Sequence, residues 1–93
     1  PAPLSIEGVF PNPFNASTVI RFSLPSAGRT NLAVYDITGR KVRDLVSDFL
    51  PAGAHTTIWN GLDGSGRRAS SGVYFVRLSS GGGAATRKML LVK

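Results

Sequence analysis

Few residues in this chain could do chemistry. It has one histidine, His55, and five acids: Glu7, Asp36, Asp44, Asp48 and Asp63. Acid–base catalysis or metal binding needs several such groups converging on one point. His55 has no acid near it in sequence, and its surroundings predict a half-buried or solvated strand residue. Asp44 and Asp48 read as solvated charges at a strand end and in a turn. The stretch Asn60-Gly61-Leu62-Asp63-Gly64-Ser65-Gly66 offers oxygens at Asn60, Asp63 and Ser65. A calcium loop alternates its ligands and closes on a bidentate Glu. No Glu follows here, so the segment reads as turn chemistry. It is no phosphate loop either, because neither Gly-Lys-Ser/Thr nor a helix comes after it. No Gly-x-Ser-x-Gly elbow frames a serine nucleophile. There is no cysteine, hence no disulfide and no thiolate zinc site. We therefore assign no catalytic, cofactor-binding or metal residue, and expect a binding, sorting or structural module that needs no cofactor.

Two aromatic features deserve weighing. Trp59 beside Asn60 could stack on a sugar, but a lone Trp in a small sheet protein reads better as core. Tyr74, Phe75 and Arg77 give a weak version of the aromatic and basic interleaving that single-stranded nucleic acid needs.

The elements that position these residues are short strands. Leu4 to Phe10 reads as the first. Pro11-Asn12-Pro13-Phe14-Asn15 is a rigid bend, since two prolines remove backbone donors. From Thr18 to Leu24 the chain alternates, with Ile20, Phe22 and Leu24 on one face and Arg21 and Ser23 on the other. After a turn at Pro25-Ser26-Ala27-Gly28, Asn31 to Asp36 is a strand. Asp36 to Arg40 is a tight hairpin connection, and Lys41 to Val46 returns from it. His55 to Trp59 follows the turn Leu50-Pro51-Ala52-Gly53. Finally Val73 to Leu78 and Arg87 to Lys93 flank Gly81-Gly82-Gly83 as a terminal hairpin. Val73 to Leu78 is apolar on both faces, which predicts a central strand. Helix signals are poor and no internal repeat is evident. Short strands separated by regular turns predict an all-β sandwich or barrel.

The 93 residues make one domain, 42% hydrophobic. Its apolar run from Met89 to Val92 is too short to span a bilayer. The formal charge of +6 favours acidic partners. The basic residues are spread along the chain, however, which suits solubility and edge protection better than a specific nucleic-acid site. Residues 1–5, with prolines at Pro1 and Pro3, read as a linker or extended N-terminal segment, and 6–93 as the domain. The start at Pro1 reads as a piece of something longer.

The quoted motifs carry a family likeness. Pro11-Asn12-Pro13-Phe14-Asn15, then Ser17-Thr18-Val19-Ile20-Arg21-Phe22, resembles the opening of type IX secretion C-terminal sorting domains. The likeness continues through Val34-Tyr35-Asp36-Ile37-Thr38-Gly39-Arg40-Lys41-Val42, Leu50-Pro51-Ala52-Gly53-Ala54-His55, Trp59-Asn60-Gly61, Ser71-Gly72-Val73-Tyr74-Phe75 and the closing Lys88 to Lys93. That family overlaps the immunoglobulin-like domain of the flagellar hook-cap scaffold protein. The resemblance implies an immunoglobulin-like antiparallel β-sandwich of about seven strands at the C-terminus of an exported bacterial protein. It also implies an address at the cell surface, reached through the periplasm and recognised by an outer-membrane translocon, with cargo anchored to lipopolysaccharide. Anionic surface polysaccharide is a further expected partner, on the positive charge of the chain. The family's recurrent elements fall on Asn12 and Pro13, on Gly72 and Tyr74, and on Lys88 and Lys93, which become the candidate recognition residues. Two departures stand out: Asn60 where Asp is usual, and Ala16 where a further Pro is common. The alternative reading is a self-associating subunit of an extracellular filament, held by strand addition between copies or by hydrophobic docking of the N-terminal segment.

Overall fold

The computed structural model describes residues 3–92. Its seven strands are β1 (Ser5–Phe10), β2 (Thr18–Leu24), β3 (Gly28–Asp36), β4 (Lys41–Leu50), β5 (Gly53–Trp59), β6 (Gly72–Ser80) and β7 (Gly83–Leu91). They form two antiparallel sheets, β1-β2-β5 and β4-β3-β6-β7. This is an immunoglobulin-like sandwich, and no helix occurs among the described residues.

The alternation in β2 explains the packing. Ile20, Phe22 and Leu24 turn inward and are fully buried. Leu32 and Val34 of β3, Val76 and Leu78 of β6, and Met89 and Leu91 of β7 meet them from the other sheet. The central strand expected at Val73 to Leu78 is β6, flanked by β3 and β7. Trp59 is 0% exposed and belongs to the core, as expected. Its ring meets Phe14 edge-on at 5.5 Å and Tyr74 at 5.2 Å, and its indole N–H donates to the Leu62 carbonyl at 2.9 Å.

Three expectations need correction. Asp44 and Asp48 are neither at a strand end nor in a turn; both lie inside β4, which runs on to Leu50. Two register breaks against β3 let this edge strand carry charge on both sides, and Asp44 pairs with Lys41 at 3.1 Å. Tyr74 does not share a face with Phe75 and Arg77. It points into the core, 7% exposed, while they point outward.

The third correction concerns repeats. Asp36-Ile37-Thr38-Gly39-Arg40 and Asp63-Gly64-Ser65-Gly66-Arg67 are the same turn made twice. In the first, the Asp36 carboxylate accepts from Thr38 N–H at 2.9 Å, Thr38 hydroxyl at 2.6 Å and Arg40 N–H at 3.1 Å. In the second, the Asp63 carboxylate accepts from Ser65 N–H at 2.9 Å, Ser65 hydroxyl at 2.7 Å and Arg67 N–H at 3.0 Å. The main-chain bonds match as well, Gly39 N–H to Asp36 O and Gly66 N–H to Asp63 O, each 3.0 Å. The two turns sit at one end of the sandwich, where Gly64 N–H donates to Val42 O at 2.8 Å.

Candidate recognition surface

The bend after β1 and the end of β7 are distant in sequence and adjacent in space. Asn12 reaches across with both ends of its amide. Its Nδ2 donates to Lys88 O at 3.1 Å, and its Oδ1 accepts from Leu90 N–H at 3.0 Å. A side-chain amide carries the same donor and acceptor as a peptide unit, so Asn12 acts as one residue of an extra strand. Phe14 continues the pairing: its N–H donates to Leu90 O, and its carbonyl accepts from Val92 N–H, both at 2.9 Å. The outer edge of β7 from Lys88 to Leu91, with Val92 after it, is thereby occupied.

Pro11 and Pro13 both follow cis peptide bonds, and the Pro11 carbonyl accepts from the Thr18 hydroxyl at 2.7 Å. Phe14 anchors the bend in the core at 2% exposure. Pro11, Asn12 and Pro13 remain on the surface. Next to them, Asn12, Val73, Lys88, Met89 and Leu90 line a shallow groove.

Gly72 opens β6 at φ +152°, a value that side-chain-bearing residues rarely adopt. Two residues on, the Tyr74 hydroxyl donates to the Ser70 carbonyl at 2.6 Å. That bond back across the corner is the tyrosine corner of immunoglobulin-like sandwiches. Burial pushes the Tyr74 phenol up, and the Asp36 charge adds to the effect. Of the six candidate residues, then, Asn12, Pro13 and Lys88 lie together at the surface. Gly72 and Tyr74 set the start of β6 from beneath. Lys93 lies outside the described residues.

Sequence reasoning missed a second feature of the same sheet. Residues paired across antiparallel strands share a face. The register therefore aligns Lys41, Tyr35, Phe75 and Lys88 in one row across all four strands. Arg77 stands beside Phe75, so the outer face is aromatic in the middle and cationic around it. Tyr35 and Phe75 are forty residues apart, and only β3–β6 pairing brings them together. The remaining chemistry-bearing groups are engaged locally. His55 Nε2 contacts the Pro51 carbonyl at 2.8 Å, and its ring stacks on Phe22 at 5.4 Å. Asp36 and Asp63 are held below the ordinary carboxylate range, first by the hydroxyls of Thr38 and Ser65 respectively, then by backbone N–H groups.

A two-sheet sandwich with a tyrosine corner, closed by its own last strand, defines a small immunoglobulin-like module whose distinctive surface lies where bend and C-terminal strand meet. The chain belongs to the secretion system C-terminal sorting domain family, which it matches over residues 8–93. Domains of that family are sorting signals of proteins exported by type IX secretion to the cell surface or beyond. Dimeric latent PorU from Porphyromonas gingivalis is similar at 26% identity, with a TM-score of 0.72, 91% of this chain covered and 9% of that one. PorZ, described as an essential surface component of the type IX secretion system of the same organism, shares the fold at 20% identity and a TM-score of 0.65, over 92% of this chain and 11% of that one. FlgD from P. aeruginosa shares it at 20% identity and a TM-score of 0.65, over 97% of this chain and 77% of that one. The chain thus spans about a tenth of the PorU and PorZ chains. None of the curated proteins matches it. No helix among the described residues is long and apolar enough to cross a membrane.

Proposed function

We propose that this domain addresses an attached cargo to an outer-membrane translocon, and that the translocon reads the joint between the Asn12-Pro13 bend and the end of β7. The observation that carries this reading is the clasp of Asn12 and Phe14 on Lys88 to Val92. Bend and terminal strand come together only when the whole sandwich has formed. A receptor that grips the joint therefore selects folded domains. In this reading the domain does no chemistry of its own; Asp36 and Asp63 serve turns, while Glu7, Asp44, Asp48 and His55 lie on strands.

The test uses a reporter fused ahead of the domain in a host with the secretion machine. Lys88→Glu with Leu90→Ser changes two exposed side chains and leaves the buried Met89 and Leu91 in place. The expected outcome is reporter held in the periplasm, with an unchanged melting temperature for the purified domain. Full surface display of that variant would sink the assignment.

A contact with anionic polysaccharide belongs, in our reading, to the row Lys41–Tyr35–Phe75–Lys88. Sugar rings stack on aromatics, and flanking ammonium groups meet their acids. Titration with an acidic oligosaccharide should then shift the NMR signals of Tyr35 and Phe75. Lys41→Ala with Lys88→Ala should abolish the shifts.

A further inference from the structure

We infer that the outer edge of β5 takes the same strand from a second copy of this chain, joining two three-stranded sheets into one across a twofold axis. The inference rests on strand edges and is independent of the sorting role. A sandwich of two open sheets has four edges, here β1, β5, β4 and β7. An unprotected edge offers unpaired N–H and C=O groups to any other strand.

Three of the four are guarded. Asn12 and Phe14 occupy the end of β7 from Lys88 to Leu91 and the following Val92, and Arg87 and Lys88 add charge. β4 carries two register breaks and the charges of Lys41, Arg43, Asp44 and Asp48. β1 is broken between Ile6 and Gly8, with the charged Glu7 at the break. Only β5 has no such device. It pairs with β2 along its whole length, Thr18↔Trp59 to Leu24↔Gly53, without a break. It contains no proline and no Asp, Glu, Lys or Arg. Among the described residues its backbone makes no hydrogen bond outside the ladder with β2.

Charge and continuity select a second copy as the occupant. Copies of a chain carrying +6 repel one another and approach best where charge is absent. Phe49 to Leu62 is the longest stretch without Asp, Glu, Lys or Arg, and β5 lies within it. On the outer face the register lines up Phe10, Val19 and Ile58 in an apolar row that ends at this edge. Phe10 is 64% and Ile58 61% exposed. Antiparallel pairing of β5 with itself is self-complementary, as a twofold axis requires. With Thr56 opposite the partner's Thr56, a favourable cross-strand pair forms and Ile58 faces the partner's Ala54. One strand edge buries less than the roughly 1,200 Å² of a standard stable interface, so the dimer is weak, with a Kd on the order of 0.1–1 mM.

Sedimentation equilibrium of the chain, with amide exchange measured on the same samples, tests this. Mass should rise from monomer to dimer across that concentration range, and protection should rise with it in Gly53–Trp59 alone. Raising salt about tenfold should tighten the dimer about two- to fivefold, because the two positive chains are screened from each other. Thr56→Lys should abolish the dimer. Thr86→Lys, which adds the same charge at an exposed position on β7, should leave most of it. Matching melting temperatures show that both variants fold. A monomer throughout, a dimer indifferent to Thr56→Lys, or one that salt dissolves would each overturn the inference.

Discussion

Single side chains hold this sandwich together at its seams. Asn12→Ala removes two hydrogen bonds at the surface of β7 and should cost about 1–2 kcal/mol, read as a lower urea midpoint. Asn12→Asp keeps the acceptor for Leu90 N–H, loses the donor to Lys88 O, and should fall between. Tyr74→Phe deletes the corner bond and leaves the ring in the core, at a cost of about 1 kcal/mol. For a domain of this size that lowers Tm by about 4–8 °C. Ala16 sits at φ +80°, where a Cβ is strained. Ala16→Gly should therefore stabilise the fold by about 1 kcal/mol in the same assay. The proline common in the family at this position is locked near φ −65° and could not adopt this loop conformation.

At the scale of elements, the twin turns carry the pH dependence. Both carboxyls are held below their ordinary value of 3.8 by hydrogen bonds that only the ionised form fully accepts. A depressed folded-state value means stability that is present above the unfolded value and lost as pH falls through the folded one. Urea midpoints should fall as pH drops through and below 3.8, and fall less in the double variant Asp36→Asn, Asp63→Asn. Equal slopes for both proteins would show that the turns do not matter to acid stability. The letters Asp-x-Ser/Thr-Gly-Arg were present twice in the sequence. One copy closes a hairpin and the other lies in a long loop, so their flanks share nothing and only the hydrogen bonds show them to be one turn. β4 was legible as a strand but not in its length. Its exposed charges at Asp44 and Asp48 imitate a turn, whereas on an edge strand with register breaks they protect it.

For the whole molecule, the last strand is both core and surface. Met89 is 0% and Leu91 4% exposed, so deleting Met89 to Lys93 removes core packing as well as any recognised surface. Leu or Met to Ala in such positions costs about 2–5 kcal/mol each. The deletion should therefore unfold the domain, visible as loss of cooperative melting, and export failure after it would not identify a recognition site. Surface substitution at Lys88 and Leu90 separates the two effects. The same reasoning explains why the recognition residues suggested by family likeness divide into two groups. Asn12, Pro13 and Lys88 are presented at the surface, while Gly72 and Tyr74 act from beneath it.

What the sequence determined by itself was local: strand periodicity, the proline bend, the turns, the absence of helix, and the family motifs with their order. These follow from backbone preferences and from the two-residue period of a half-buried strand, which neighbouring letters record. What only the tertiary structure decided was pairing between distant segments. That includes the Asn12 clasp on β7, the row from Lys41 to Lys88, the inward turn of Tyr74 and the bare edge of β5. Register and edge position depend on which strands meet, and that choice belongs to the packed core as a whole rather than to any one stretch of chain.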